Sequence, residues 1–224
     1  TQGVLAVEPL SAKLALRTLW ELAYDLNFDA VKIGMLANAP MVDAVALFLR
    51  RVMPPNVVLD PVLESSSGTE LLDSEGRQRL SKRLLRKATL ITPNLAEAAA
   101  LTGLRVESVA EMKAAAKRLH RMGARNVVIT GGHLASPVDV LSTCTTSGIK
   151  QTEFSGRRIH STSTHGTGCA FSSAVACNLA MGRSLPKAVA LAKEYVTEAI
   201  RNAYPVGEGV GPVNHFYKPA AGRK

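Results

Sequence analysis

Short apolar runs, each stopped by a turn residue and followed by a helix-like stretch, constrain this chain most. Four of them, at 30–33, 57–59, 89–91 and 126–130, stop at Gly34, Asp60-Pro61, Thr92-Pro93 and Gly131-Gly132. Runs this short and continuously apolar suit strands covered on both faces. Their alternation with helical periodicity predicts an α/β fold with a mainly parallel central sheet flanked by helices. The first helix is expected over 11–27, with Ser11 as N-cap and Leu14, Leu16, Leu19, Leu22, Ala23 and Leu26 largely on one face. Further helices are expected over 39–52, 73–87 and 108–122. Asn94, with Glu97 three residues on, is close to a capping box and opens another. Stretches 138–143 and 149–159 read as an antiparallel pair at one edge. Two last helices are expected at about 168–181 and 186–203, joined across Gly182.

The 224 residues suffice for one ordinary core, and no Pro/Gly/Ser-rich linker divides them. Residues 1–224 are therefore read as a single domain. It opens at Thr1-Gln2-Gly3-Val4, which reads as a connecting loop with no strand before the first helix. The expectation is of a domain whose N-terminal elements are missing from this chain.

Charge narrows the partners. Lys and Arg number 27 against 18 Asp and Glu, a net charge of +9. The positive residues are scattered over helices with apolar opposite faces, which reads as solvated surface rather than nucleic-acid contact. Some of the charge also suits a polyphosphate substrate. No apolar run is long enough to span a bilayer, and no signal segment is present. Cys144, Cys169 and Cys177 have no metal-ligand spacing and are odd in number. That suggests a reducing compartment, and the expectation is a cytoplasmic protein.

Open parallel sheets place their ligands at strand C-termini. Turn chemistry alone accounts for each run's ending. Four such endings together, Gly34-Met35, Asp60-Pro61-Val62, Thr92-Pro93-Asn94 and Thr130-Gly131-Gly132-His133, point to a shared cleft. Gly166-Thr167-Gly168-Cys169 precedes a helical stretch, so its amides and the helix dipole could converge on an anion. A glycine-rich helix start with no ligand explains the same residues, and there is no GxxxxGK[ST] motif. Cys169 stands where a thiol pKa should fall, so a thiolate base is possible. Cys177 reads as buried packing. Asp60 and Glu97 could position Mg²⁺ beside a nucleotide, with helix capping an equal explanation for Glu97. His133, His165 and His215 read as structural or supporting groups.

The strings VKIGML, VLDPV, ITPNLAEAAALTG, ITGGH, THGTGCAFSSAVACNLAMG, AKEYVTEAI and GPVNHF cover nearly the whole chain in order. Together they resemble the bacterial hydroxymethylpyrimidine/phosphomethylpyrimidine kinases of thiamine biosynthesis, within the ribokinase-like superfamily. The resemblance implies two MgATP-dependent phosphorylations, of hydroxymethylpyrimidine and then of its monophosphate. It also implies a homodimer. Gly166, Thr167 and Gly168 then match the family's anion hole, and Cys169 stands as the candidate base. Met35 and Val62 match the pyrimidine pocket. Asp60, Asn94 and Glu97 match the phosphate and Mg²⁺ side, with Asn94, Thr130 and Lys193 towards ATP. Thr130 departs from a common Lys, which removes a cation near the ATP phosphates; Leu63 replaces a usual Met. The family's front segment, with its glycine-rich turn and a substrate-contacting Gln, precedes what matches Thr1-Gln2-Gly3-Val4. Pyridoxal or pyridoxine kinase is the nearest enzyme alternative, and a non-catalytic pyrimidine-binding regulator is another.

Overall fold

The computed structural model describes residues 2–65 and 67–217. Strands β1 (Val31–Ile33), β2 (Val57–Leu59), β3 (Leu90–Ile91), β4 (Asn126–Ile129), β5 (Val138–Thr145) and β6 (Gly148–Ser155) form one sheet in that order. β1 to β4 pair in parallel. β5 runs antiparallel to β4, and β6 to β5. The expected α/β architecture is observed, with the antiparallel pair at one edge.

The side-chain period of two sorts the strand residues between two cores. Ile33, Val57, Leu59, Ile91, Val127, Ile129 and Val140 belong to one cluster. Val58, Leu90, Val128 and Leu141 belong to the other. The first is covered by α1 (Ala12–Asp25), α2 (Ala39–Val52), the segment Leu80–Leu84 that follows α3 (Ser74–Arg79), α4 (Leu95–Thr102) and α5 (Val109–Arg121). The second is covered by α6 (Thr167–Ala180) and α7 (Leu185–Arg201). The nearly continuous apolar character of β2, β3 and β4 follows from being covered on both faces.

Two helices depart from the sequence expectation. The helix read over 73–87 is α-helical only to Arg79; residues Leu80–Leu84 form a π turn. Leu85 N–H reaches back to Leu80 O at 3.3 Å. The wider turn lets Leu80, Leu84 and Leu85 all enter the core. In α1, Ser11 caps as expected, but the apolar face is split. Leu16, Leu19, Trp20 and Ala23 pack on the core, whereas Leu14, Leu22 and Leu26 are exposed. At 100° per residue Leu14 lies about 160° around the helix from Leu16, too far to share a stripe.

The parallel pairing puts the ends of β1 to β4 side by side. The turns that follow them, and the start of α6, are the parts of the fold that position the site.

Candidate active site

Asp60 directly follows β2 and is buried. Lys32, from the middle of β1, reaches it with Nζ 3.3 Å from Oδ2. The Ser172 hydroxyl donates to the same oxygen at 3.0 Å, tying the second turn of α6 to the strand ends. Cys169 completes the cluster. Although the residue is exposed, its thiol is near enough to Asp60 and Lys32 for both charges to act on it.

The start of α6 differs from the helices that carry side-chain caps. Ser11, Asn38, Asp73, Asn94 and Ser108 each accept a backbone N–H at their helix starts. At α6 the cap is Gly166, with φ +83° and no side-chain hydrogen bond. Thr167 N–H turns back to Thr164 O at 3.4 Å. Helix geometry gives Gly168 and Cys169 N–H no intrahelical acceptor. A Cβ built on Gly166 or Gly168 meets nothing within 4 Å. Open space around the two glycines, with amides left without an intrahelical acceptor, is what an anion-binding helix start requires.

The loop is held in place from behind. His165 N–H donates to Gly211 O at 2.9 Å, and Val213 N–H returns to His165 O at 3.2 Å. A Cβ on Gly211 would lie 2.4 Å from Ser163 Oγ, so only glycine permits this approach. The segment 211–213 thus buttresses the Gly166–Gly168 turn through backbone pairing. His165 contributes backbone here, and His215 lies 3.5 Å from the Tyr195 hydroxyl.

Glu97 makes the capping box in full. Its N–H donates to Asn94 Oδ1 at 2.9 Å and its Oε2 accepts Asn94 N–H at 2.8 Å. Burial, and then the nearby Asp60 charge, raise its carboxyl from 4.5 to about 7, against the pull of the Asn94 and Leu63 N–H groups. Two carboxylates that repel across a buried site form a hard oxygen donor pair suited to a divalent cation. No cluster of three or more His, Cys, Asp or Glu capable of holding a metal occurs among the described residues. Mg²⁺ typically takes one or two carboxylates and fills its octahedron with substrate phosphates and water, so the pair fits that ion.

Cys169 overturns one expectation. Its thiol is pushed above its ordinary value, by burial first and the Asp60 carboxylate next, with Lys32 opposing. Those effects outweigh the favourable helix start. Cys177 is exposed rather than packed.

At the β4 end, Thr130 bridges to Asn94. The next residue, Gly131, donates to buried Asp139 Oδ1 at 2.9 Å. Lys193 Nζ takes the other Asp139 oxygen at 2.7 Å, so its charge turns to Asp139 and holds the turn. A Cβ on Gly131 would be 2.1 Å from Val138 O, which explains the glycine. Arg158 donates to Gly132 O at 3.1 Å. Met35, exposed, and Val62, half-buried, stand just beyond β1 and β2.

Lys32, Ser172 and Asp139 were not among the residues singled out from sequence. Lys32 and Asp139 do carry a signal, a lone charge inside an apolar strand. Two concavities of about 600 and 330 Å³ lie elsewhere and share Arg50 and Lys87 in their linings. No residue of the Asp60–Cys169 cluster lines either.

A doubly covered parallel sheet with an uncapped glycine helix start facing an acid–lysine cluster defines a ribokinase-like small-molecule kinase. The chain belongs to the phosphomethylpyrimidine kinase family, whose pattern it matches over residues 1–214. It is 46% identical over 192 residues to the hydroxymethylpyrimidine/phosphomethylpyrimidine kinase of Streptomyces coelicolor, covering 85% of this chain and 70% of that one. It is 42% identical over 218 residues to the thiamine biosynthesis bifunctional protein ThiED of Geobacter sulfurreducens. That match covers 96% of this chain and 44% of ThiED, so the chain spans under half of that relative. Among solved structures, the ADP complex of Bacillus subtilis pyridoxal kinase superposes with a TM-score of 0.85 at 35% identity, covering 94% of this chain and 78% of that one. No helix among the described residues is long and apolar enough to cross a membrane.

Proposed function

We propose that this kinase uses MgATP to phosphorylate hydroxymethylpyrimidine and then its monophosphate, giving the diphosphate for thiamine biosynthesis. The observation that carries the reading is the Gly166–Gly168 helix start, open to the cleft and next to Asp60, Lys32 and Cys169, in a chain of this family. The amides of Gly168 and Cys169 stabilise charge on the transferring phosphoryl group. Asp60 and Glu97 hold Mg²⁺, which supplies charge neutralisation when bound. Met35 and Val62 line the pyrimidine side. Asn94 and Thr130 border the nucleotide side, where Lys193 acts through Asp139 and the Gly131 turn.

Cys169 receives the hydroxyl proton in the first transfer. Its raised pKa makes the neutral thiol dominant in the free site at neutral pH, and the fraction ionised grows as pH rises. The three free cysteines accord with a cytoplasmic setting. Homodimer formation belongs to the same reading and rests on the family resemblance; light scattering of the purified protein tests it.

A coupled ADP-release assay with hydroxymethylpyrimidine, its monophosphate and pyridoxal tests the substrate. Turnover of both pyrimidines supports the reading. Robust turnover of pyridoxal with neither pyrimidine refutes it and selects the second reading, pyridoxal kinase, which the likeness to the Bacillus subtilis enzyme favours.

A further inference from the structure

Lys32 is the one charged residue of β1, between Val31 and Ile33. Its register partner is Val58, whose side chain joins the α6–α7 core. Lys32 therefore projects on the α6 side of the sheet, towards the glycine helix start. To reach Asp60 it bends over the strand end, and a Cβ on Gly34 would lie 2.7 Å from Nζ. Glycine at 34 leaves the ammonium that path. The Lys32 side chain keeps 22% exposure while that of Asp60 keeps 6%, so the ammonium stands at the mouth of the cluster. The other cations described at the strand ends are turned to the β4 side, Lys193 to Asp139 and Arg158 to the Gly132 carbonyl.

The two acceptors of the proposed function make different demands. In the first transfer a neutral hydroxyl oxygen attacks the terminal phosphorus of ATP. The bond to the bridging oxygen breaks, ADP leaves with the electron pair, and the hydroxyl proton goes to the base. In the second the attacking oxygen belongs to a phosphate monoester, already ionised, so no proton has to be removed from it. That acceptor instead brings about two negative charges beside Asp60 and Glu97. Without a cation on the acceptor side, like-charge repulsion would exclude it.

We propose that Lys32 determines specificity for the phosphorylated acceptor, its ammonium binding the monoester phosphate beside Cys169. This rests on the pyrimidine kinase reading above and deepens it. An ammonium has three donors, and Asp60 takes one, so the remaining donors can meet the phosphate while the Asp60 contact persists. Lys32 and Cys169 then divide the labour: Cys169 serves the hydroxyl acceptor, Lys32 the phosphate acceptor.

The test compares wild type, Lys32→Met, Lys32→Gln and Lys32→Arg on hydroxymethylpyrimidine and its monophosphate under MgATP. ADP release and phosphorus NMR of the products report each step, and thermal melts verify folding. Loss of a charge-assisted contact should lower kcat/KM for the monophosphate about 10- to 100-fold. The hydroxyl substrate should lose less, since no phosphate contact is removed there even though Asp60 and Cys169 lose a neighbouring cation, so the readout is the ratio of the two kcat/KM values. Lys32→Arg should restore part of the monophosphate activity. Equal losses on both substrates, or unchanged use of the monophosphate by a folded Met or Gln variant, would overturn the assignment alone. A wild-type enzyme inert towards both pyrimidines would overturn the parent reading together with it.

Discussion

Cys169 shows how a single residue can satisfy one rule and defy another. Its place at a helix start argues for a lowered thiol pKa, but burial and the Asp60 carboxylate push it the other way. A thiol raised in this way is mostly protonated at pH 7. If it serves as the base, turnover of the hydroxyl substrate climbs as pH rises towards its titration. Cys169→Ala should then cost about 10²-fold in kcat, the low end for general-base loss, and flatten that rise. Cys177→Ala, on the exposed side of α6, is the control and should be silent. A pH–rate profile of the three proteins decides the matter, and near-normal turnover of the alanine variant would reduce the thiol to packing. The motif residues were legible because glycines and prolines at strand ends leave marks in the sequence. The sign of the Cys169 shift was not, because it depends on a carboxylate 109 positions earlier in the chain. Ser172 was hidden for the same reason, and Lys32 showed only as a charge in an apolar strand, its partner unnamed: only the folded sheet brings β1, β2 and α6 to one point.

At the scale of elements, local signals recovered most of the architecture. α2 and β2 were read with their observed bounds, and Asn94 and Glu97 announced α4 through the capping box. The π turn after α3 left no such mark, since it is imposed by Leu80, Leu84 and Leu85 all seeking the same core. Two variants probe what the elements contribute. Gly168→Ala adds a Cβ into open space at the second position of α6, so no clash opposes folding. Alanine also favours helix by up to about 1 kcal/mol over glycine. Stability should hold or rise slightly, while turnover falls about 10²-fold because the methyl stands where the phosphoryl group must approach the amides. Calorimetry with steady-state kinetics separates the two effects, and unchanged turnover would remove α6 from the phosphate site. Lys193→Met strands the Asp139 charge between β5 and α7, which should cost about 3–5 kcal/mol in urea unfolding. Adding Asp139→Asn should recover much of that, because the amide oxygen still accepts Gly131 N–H without a charge. Equal loss in both variants would contradict the role given to the pair.

For the molecule as a whole, the buried Glu97 carboxyl links stability to pH. Its pKa is about 7 when folded, against 4.5 for an unperturbed glutamate. Below about 4.5 the proton is bound in both states, and the group contributes no penalty. Between 4.5 and 7 the unfolded chain ionises while the folded one holds its proton, so stability falls as pH rises. Above about 7 the folded state ionises too, and the penalty is fully expressed. The gap between 4.5 and about 7 corresponds to roughly 3–3.5 kcal/mol. Urea unfolding with a chelator present should therefore show stability declining from pH 4.5 to 7 through this group. Glu97→Gln should flatten the decline, because a neutral amide can still accept the Asn94 N–H of the capping box. Mg²⁺ binding favours the ionised carboxylate, so added Mg²⁺ should stabilise the wild type more at pH 8 than at pH 5.5 and stabilise the variant much less. The same variant should need more Mg²⁺ for half-maximal turnover. If its pH–stability curve keeps the wild-type slope, burial is not what raises this carboxyl. If Mg²⁺ stabilises both proteins equally at pH 8, Glu97 serves the helix cap and not the metal.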